Sequence, residues 1–375
     1  MAGLYLHIPF CKSKCAYCDF FSVATLNQKE DFIKALIGEL KLQKEYLVNE
    51  SIDSIYFGGG TPSVLVIKEL DLILNEICKN YTVNPKAEIT LEANPDDLDI
   101  NYLKNLRNSG VNRLSIGVQS FIDNHLTRMK RRHNAQKAKE TIQWAQNCGF
   151  NNISADLIYG LPQMPLSEWN YNLETLMSFN VQHISAYHLT IEPNTLFNKW
   201  VKQKSINLPS DSESTKQLKL LIKETKKKGF VHYEISNFAL DGFFSKHNSS
   251  YWINEKYLGV GPSAHSYNLT SRQWNISNVQ RYIAAISQGN IPFEKENLTL
   301  NDKYNDYILT SLRTMWGINL QKIEIEFGKL YFDYFMKSIN SFLESKHLKK
   351  TQNKVCLTPK GIFISDLIIR ALLKV

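Results

Sequence analysis

Six short β-rich runs alternate with longer segments of helical periodicity over the first 240 residues, and this alternation constrains the fold more than any other feature. The runs are LYLHI, SIYFG, EITLEA, RLSIGV, ISADLIYG and HISAYHLTI. Strand and helix alternating in this way predict an α/β protein built from parallel βα units, either an open doubly wound sheet or a barrel or partial barrel. The first helical stripe, at the i, i+3, i+4, i+7 spacing, comprises Phe32, Ile33, Leu36, Ile37 and Leu40.

The alternation ends near residue 240, and we predict three segments. Residues 1–240 form the α/β part. Residues 241–298 are rich in Gly, Asn, Ser and aromatic residues, which predicts a loop-rich extension with short strands, packed on the α/β part. Helical patterns return over residues 299–375, where the last helix follows a turn at Pro359 and Gly361. We expect this third segment to be a small, mainly helical C-terminal domain of winged-helix type.

Polar side chains gather where the predicted strands end. Because the carboxyl ends of parallel strands meet at one edge, barrels and open α/β sheets build their sites there. The sequence therefore predicts one functional site at that edge. Its candidates, in chain order, are a cysteine cluster, the segment GGGTP at 58–62, Glu92, Asn94, Gln119, Ser120, Asp156, Tyr187, His188 and Glu192.

Three thiols, Cys11, Cys15 and Cys18, lie within eight residues directly after the first strand. Six cysteines in 375 residues are too few for a disulfide framework, so metal binding or redox chemistry is the expected use. Structural zinc needs four ligands, and His7 is a candidate for the fourth. A disulfide exchanger would use Cys-x-x-Cys and leave Cys11 without a role. An iron–sulfur cluster takes cysteine thiolates, and three of them on a four-iron cube leave one iron open to a ligand from outside the protein.

The spacing Cys-x3-Cys-x2-Cys after a first strand, with the aromatic Tyr17 just before the third cysteine, resembles the radical S-adenosylmethionine (SAM) superfamily. The resemblance implies that Cys11, Cys15 and Cys18 hold a 4Fe–4S cluster whose open iron binds SAM. In that superfamily an electron from the cluster cleaves the sulfonium of SAM. The resemblance also implies a partial (β/α)6 TIM-like barrel.

The resemblance further implies which side chains line the SAM site. The glycine segment would contact the methionine ammonium, Glu92 would accept hydrogen bonds from the ribose, and Arg131 would pair with the methionine carboxylate. Gln119 and Asp156 are polar residues in otherwise apolar strands and need partners. Each residue alone also has an ordinary structural explanation, but their shared order matches the family. The implied SAM set is Tyr5, Tyr17, Gly59, Gly60, Thr61, Glu92, Gln119, Arg131 and Asp156.

The similarity to one group within the superfamily covers nearly the whole chain. LYLHIPFC, GGGTPS, LSIGVQSF, RRHN and DLIYGLP are similar to the oxygen-independent coproporphyrinogen III oxidase group, and YEISNFA, HNSSYW and GVGPSAHS to its heme-chaperone branch, the HemW type. The oxidases carry a further cysteine two residues after the third cluster cysteine, where this chain has Phe20. They also carry an extension before the first strand, whereas this sequence starts directly at that strand. Both departures favour the chaperone branch.

The resemblance thus predicts a heme chaperone that carries a 4Fe–4S cluster and SAM and transfers heme to acceptor proteins, with an electron donor as a further partner. The alternative is an oxidase that decarboxylates coproporphyrinogen III, an activity that we do not expect, and the third is a zinc-stabilised binding module. Heme proteins often use a His ligand, and the motif KHNSSYW makes His247 the candidate. Tyr251 and Trp252 would pack on the macrocycle. His188 and His265 are weaker candidates.

Charge and hydropathy limit the partners and the location. Lys and Arg number 44 and Asp and Glu 36, a net charge of +8 that we attribute to solubility, because no nucleic-acid-binding module is recognisable. No apolar run is long enough to span a membrane, which leaves room only for peripheral membrane association. We therefore expect a cytoplasmic protein. The remaining thiols, Cys78, Cys148 and Cys356, are scattered and are predicted to be buried.

Overall fold

The computed structural model describes residues 2–374, and within them a sheet of twelve strands carries the larger part of the chain. Its centre is six parallel strands that lie side by side in chain order, as the strand–helix alternation predicted. The predicted partial (β/α)6 barrel is thereby confirmed. The six strands are β1 (Ala2–Ile8), β2 (Ile52–Gly59), β3 (Val83–Ala93), β4 (Arg113–Gln119), β5 (Ile153–Tyr159) and β6 (His183–His188).

Amphipathic helices connect these strands and cover the outside of the sheet. In the first of them Phe32, Leu36 and Leu40 are fully buried, so the predicted apolar stripe faces the sheet. The last is started by a capping box, in which Ser210 Oγ accepts from Glu213 N and Glu213 accepts from Ser210 N. The helices are α1 (Lys29–Leu42), α2 (Ile67–Asn80), α3 (Ile100–Asn108), α4 (Asp123–Arg128), α5 (Ala135–Asn147), α6 (Leu166–Ser178), α7 (Leu196–Lys202) and α8 (Asp211–Lys227).

Residues 241–298, predicted as a loop-rich extension with short strands, contain four strands of three to five residues. Their strands continue the barrel sheet, because β9 pairs in parallel with β1 and three further strands follow it outward. At the other edge, a hairpin pairs antiparallel with β6. An open strand edge offers unpaired N–H and C=O groups, which these short strands satisfy. The elements are β7 (Val231–Glu234), β8 (Asn237–Ala239), α9 (Lys246–Trp252), β9 (Lys256–Val260), β10 (His265–Tyr267), β11 (Ser271–Asn275), α10 (Val279–Ser287) and β12 (Phe293–Asn297).

A buried carboxylate ties this extension to the barrel. Glu39 on α1 is fully buried and accepts hydrogen bonds from Tyr282 Oη (2.6 Å), Asn275 Nδ2 (2.6 Å) and Gly261 N (2.8 Å). Burial raises the pKa of Glu39, and these hydrogen bonds act in the opposite direction. Three separate pieces of the extension are therefore attached to one helix of the barrel.

The end of the chain forms a second, smaller core around Tyr304, Ile308, Phe335, Val355 and Ile368. It is mainly helical, as predicted, with a three-stranded antiparallel sheet, and its winged-helix type stays a prediction. No helix within residues 2–374 combines the length and the apolar character that crossing a membrane requires. The elements are α11 (Leu300–Leu312), β13 (Ile318–Asn319), α12 (Leu320–Lys322) with a π-helical turn (Ile323–Phe327), α13 (Lys329–Glu344), β14 (Leu348–Lys350), β15 (Lys354–Leu357) and α14 (Ser365–Leu372).

Candidate functional site

A cavity of about 720 Å³ opens at the carboxyl ends of the six parallel strands. This is the edge at which the sequence predicted the site. All the predicted cofactor residues except Tyr5 and His247 line it. They are Cys11, Cys15, Cys18, Tyr17, Gly59, Gly60, Thr61, Glu92, Gln119, Arg131 and Asp156.

The loop that carries the thiols, residues 9–28, is closed on itself and anchored to two other parts of the barrel. Its two arms pair through Cys11 N to Val23 O (3.0 Å) and Val23 N to Pro9 O (2.8 Å). In its middle, Ala16 N donates to Met129 O and Ala16 O accepts from Phe197 N, both at 3.0 Å. The chain after β6 is thus bonded to the thiol loop, which brings the first and last parallel units together at the cavity.

Two thiols have polar partners that suit a thiolate. Thr61 Oγ1 donates to Cys11 Sγ, and Arg131 Nη1 donates to Cys15 Sγ, each at 3.3 Å. Burial raises the pKa of Cys11, and raises that of Cys18 to about 11. Both thiols are therefore protonated at neutral pH until a bound cation compensates the thiolate charge.

The zinc alternative needs a fourth ligand beside the three thiols. Within residues 2–374, no three His, Cys, Asp or Glu side chains are arranged to hold one metal ion. His7, the predicted fourth zinc ligand, has both ring nitrogens in hydrogen bonds, Nε2 with Phe21 O (2.9 Å) and Nδ1 with Tyr5 Oη (3.2 Å). His7 could therefore ligate zinc only if one of these hydrogen bonds broke.

Arg131 is a partly buried cation held at the cavity wall. Its Nη2 donates to Asn94 Oδ1 (2.6 Å) and to Gly117 O (2.8 Å), and its Nε has no hydrogen-bond partner in the part of the chain that the structure describes. A guanidinium fixed in this way is suited to binding a carboxylate. Asn94 was predicted to lie at this edge but was not assigned to SAM, and its amide orients this cation.

The glycine segment needs its glycines for steric reasons. Gly59 has φ +107, and a Cβ there would come 2.8 Å from the ring of His7. A Cβ on Gly60 would come 2.9 Å from the carbonyl oxygens of Ile8 and Phe10. The close approach lets Gly60 N donate to Ile8 O (2.8 Å), and it sets the adjacent Thr61 against Cys11.

Two carboxyl groups form the deep part of the cavity. Glu92 accepts from Tyr56 Oη (2.7 Å), and Asp156 accepts from Ser115 Oγ (3.2 Å). Burial raises the pKa of Glu92 to about 7 and that of Asp156 to about 6. Near neutral pH this pair is close to titration, so either group can accept hydrogen bonds from ligand hydroxyl groups and can also donate when protonated.

Gln119 ends β4 in an unusual backbone conformation. Its φ is +66, a region that a non-glycine residue rarely adopts, and the pairing of β4 with β5 shifts register between Ile116 and Gln119. Strained residues of this kind are held in place by their surroundings and cluster at ligand sites. The shift leaves Gln119 on the cavity wall.

Tyr5 and His247 do not line the cavity. Tyr5 lies deeper in the barrel, where its ring stacks on Tyr56 at 6.1 Å between centroids. His247 on α9 is 1% exposed, and its ring is hydrogen-bonded to Ser54 Oγ through Nδ1 (2.9 Å) and to Tyr251 Oη through Nε2 (2.7 Å). Both ring nitrogens are thus paired with protein groups, and ligation of a heme iron by His247 would need one of these hydrogen bonds to break. The assignment of His247 to heme stays a prediction.

Two lysines at the cavity were not predicted, and the burial of three thiols was predicted wrongly. Lys12 and Lys14 both lie between Cys11 and Cys15 and line the cavity, and this position in the thiol loop was the signal that could have revealed them. Cys78 is exposed, since it points away from the buried face of α2, and Cys148 and Cys356 are partly exposed. The prediction that these three thiols are buried was wrong, because isolated thiols carry no sequence signal of their facing.

Comparisons with known proteins agree with the geometry. A family model described as the radical SAM superfamily matches residues 5–176, and one described as the HemN C-terminal domain matches residues 298–364. The chain is 32% identical to "Heme chaperone HemW" of Bacillus subtilis (strain 168), across 100% of this chain and 99% of that protein. It is 33% identical to the protein of the same name from Lactococcus lactis subsp. lactis (strain IL1403), across 96% and 94%.

The fold is also found in a solved structure. Coproporphyrinogen III oxidase (HemN) from Escherichia coli, a radical SAM enzyme, superimposes with a TM-score of 0.87 at 22% sequence identity. The match covers 100% of this chain and 90% of that one. At this identity the likeness shows a shared fold and leaves the activity to be argued from the site.

Proposed function

Since the chain belongs to the radical SAM superfamily and, within it, to the HemW-type heme chaperones, we propose that it binds a 4Fe–4S cluster, SAM and heme, and delivers the heme to acceptor proteins in the cytoplasm. The observation that carries the cofactor part is that three thiols, the glycine segment and Arg131 share one cavity. The similarity over the full length to proteins named heme chaperones supports the cargo.

Each residue at the cavity has a task in this proposal. Cys11, Cys15 and Cys18 hold the cluster, and the Arg131 guanidinium offsets thiolate charge beside Cys15. A cluster held there would, when reduced, be a source of one electron for SAM. Because Arg131 also has an unpartnered Nε, it can meet the methionine carboxylate of SAM in a charge-assisted bond.

The polar groups deeper in the cavity complete the SAM site. Glu92 and Asp156 accept hydrogen bonds from hydroxyl and amino groups of the nucleoside, and Gln119 offers an amide that both donates and accepts. The backbone at Gly59 and Gly60 lets the ligand approach the sheet edge closely. Tyr17 is partly exposed in the thiol loop and packs against the ligand from that side.

The cargo distinguishes this proposal from the oxidase alternative. The position at which the oxidases carry a fourth cysteine holds Phe20, so the chain offers no further thiolate beside the cluster. Phe20 is 71% exposed and lines the cavity. A large apolar ring exposed at this position can contact a flat apolar ligand, which fits a protein that holds a porphyrin and passes it on.

The test uses protein purified without oxygen. We expect bound iron and sulfide, SAM binding by calorimetry, a heme complex with a Soret band, and heme transfer to a heme-free globin used as the acceptor probe. Reduced protein incubated with coproporphyrinogen III and SAM should leave the substrate unchanged. Formation of protoporphyrinogen would replace the chaperone proposal by the oxidase, and a colourless zinc protein would end the cluster proposal.

A further inference from the structure

One carboxylate, Asp97, is bonded to several parts of the cavity wall at once. It follows β3 in a short turn (Pro95–Asp97), and its side chain is only 1% exposed. Its Oδ1 accepts from Lys12 Nζ (2.7 Å) and from Arg132 Nη2 (2.9 Å), and its Oδ2 accepts from Ser63 Oγ (3.0 Å). Because the donors are two cations and a hydroxyl group, both oxygens of this buried carboxylate are satisfied by strong hydrogen bonds.

The three donors belong to three different motifs of the candidate site. Lys12 directly follows Cys11 in the thiol loop, and Ser63 directly follows the glycine segment GGGTP. Arg132 directly follows Arg131. The carboxylate itself is not among the residues that line the cavity, so it can act there only through these partners.

On the thiol side, the bonds to Asp97 lie next to a contact of Cys11. Thr61 Oγ1 donates to Cys11 Sγ (3.3 Å). Lys12 is the next residue after that thiol, and Ser63 lies two residues after that threonine. Both segments are thus bonded to one carboxylate beside the point at which they meet. The bonds to Asp97 therefore fix the position of the thiol loop relative to the glycine segment.

On the other side, the same carboxylate is connected to the Arg131 guanidinium. Ser63 Oγ, which donates to Asp97, accepts from Asn94 N (3.1 Å). Asn94 Oδ1 in turn accepts from Arg131 Nη2 (2.6 Å). The bond from Arg132 to Asp97 also fixes the backbone directly after Arg131. Two paths of hydrogen bonds therefore orient this guanidinium from one buried group.

We propose that Asp97 is a positioning residue of the cofactor site, which holds the thiol loop, the glycine segment and the Arg131 guanidinium in the arrangement that binds SAM. This inference rests on the proposed function, because it concerns the SAM site of that proposal. Cofactor sites need their ligands in one geometry, and groups that bond to those ligands or their neighbours supply it. Loss of the Asp97 charge should therefore loosen three parts of the cavity wall together.

The first measurement is hydrogen exchange of the cofactor-free chain, followed by mass spectrometry. Asp97→Asn keeps the size of the side chain and removes the charge that the two cations contact. Backbone amides of residues 9–28 should then exchange about tenfold faster, because the loop loses a charged hydrogen bond. Amides of the C-terminal domain should keep their wild-type rates.

The second measurement uses protein loaded with iron and sulfide without oxygen. Asp97→Asn should weaken SAM binding in calorimetry by about tenfold and alter the change that SAM causes in the EPR spectrum of the reduced cluster. A role in stability alone would leave the SAM affinity of the folded, loaded protein unchanged. The matched control is Asp96→Asn, which removes the same charge one residue earlier, where the carboxylate lies 3.9 Å from Arg132 Nε. It should keep the wild-type affinity and spectrum.

A second variant tests the same bond from its exposed end. The Lys12 side chain is 45% exposed, so Lys12→Met should fold, and it decides the matter if Asp97→Asn does not. It should also weaken SAM binding, and the double variant should be no weaker than Asp97→Asn alone, because both changes remove one interaction.

The outcomes separate this inference from the proposed function. If Asp97→Asn and Lys12→Met keep the wild-type SAM affinity and exchange rates, the inference fails while the proposed function stands. An equal loss of SAM affinity in Asp96→Asn would assign the effect to charge in general and would also overturn the inference. If the wild-type protein takes up neither cluster nor SAM, the proposed function fails, and the inference fails with it.

Discussion

The two ends of the barrel are both rich in polar side chains, but they differ in what those side chains contact. At the amino ends of the strands, His247, Ser54, Glu88 and His183 bond to one another or to nearby groups, and the region is closed. At the carboxyl ends, the thiols, Arg131, Glu92 and His188 face a cavity of about 720 Å³. The first set holds the protein together, and the second is available to ligands.

Residue type alone does not identify a ligand site in this chain. His247 and His188 are the same side chain, and burial lowers the pKa of both, that of His247 to about 3. One ring has two hydrogen-bond partners and the other has none among residues 2–374. Buried polar groups need partners, so those that have them contribute to stability, while those that lack them and face a cavity are free to bind.

The largest expected effect is at the carboxyl ends of the strands, where the cavity opens. Cys15→Ser should abolish the iron–sulfur chromophore and SAM binding, because two thiolates and a hydroxyl do not hold the cluster. The measurement is iron and sulfide content after anaerobic reconstitution, together with calorimetry of SAM. Cys78→Ser, which changes an exposed thiol on α2, is the control and should load normally. Equal iron in the two variants would contradict the assignment of the cluster.

The next effect is at the amino ends of the strands, where the polar side chains are paired with one another. His247→Ala should lower the free energy of unfolding by about 2–4 kcal/mol, because it opens a cavity and leaves Ser54 and Tyr251 without their partner. Urea unfolding measures this loss, and His347→Ala in the C-terminal domain should change it little. Iron content should be that of the wild type. An unchanged free energy of unfolding with an altered heme spectrum would show that His247 binds heme and does not serve stability.

A smaller effect concerns pH. Burial raises the pKa of Glu92 to about 7 in the folded protein, above its unfolded value of about 4. Folding therefore favours the protonated form, and the contribution of Glu92 to stability is lost as pH rises from about 4 through about 7. Cofactor-free Glu92→Gln should be more stable than the wild type at pH 8, by on the order of 1–2 kcal/mol, since the side chain is partly open to the cavity.

This difference should vanish below about pH 4, where both side chains are neutral. Thermal unfolding of the two proteins across this pH range measures it. Glu45→Gln, at an exposed position on the surface, is the control and should show no such dependence. If Glu92→Gln were less stable than the wild type at pH 8, Glu92 would have a compensating partner. It would then resemble the paired polar groups at the amino ends of the strands.

The smallest expected effect is at the exposed edge of the cavity. Phe20→Cys restores the cysteine of the oxidases at a position 71% exposed, so the free energy of unfolding should change by less than about 0.5 kcal/mol. Iron and sulfide per chain should equal those of the wild type, since three thiols already hold the cluster. Phe20→Ser should behave in the same way. A gain of oxidase activity in the cysteine variant alone would show that this one residue separates the two functions.

Much of the site could be predicted because it depends on topology. The six strands are parallel and follow each other in chain order, so whatever follows each strand arrives at the same edge. This is why Cys11, Gly59, Glu92, Arg131 and Asp156 share a cavity although up to 145 residues separate them. The apolar stripe of α1 was predictable for a similar reason, because it follows from local periodicity.

What the sequence left open depends on pairing between distant segments. The strand β9 reads as part of a loop-rich stretch, and only its register with β1, Gly3 against Tyr257, makes it part of the sheet. His247 stands in a motif that suggests a ligand, but Ser54, its partner, lies 193 residues earlier. No local pattern in the sequence carries such information.

The sequence by itself determined the order of strands and helices and the points along the chain at which thiols, glycines and charged groups occur. Those two facts decide which edge of the sheet carries the site. The tertiary structure alone decided which of the polar groups are satisfied and which are open. The reason is that hydrogen-bond partners and cavity walls come from strands far apart in the chain, and a polar group buried without a partner has a cost that only the assembled fold can remove.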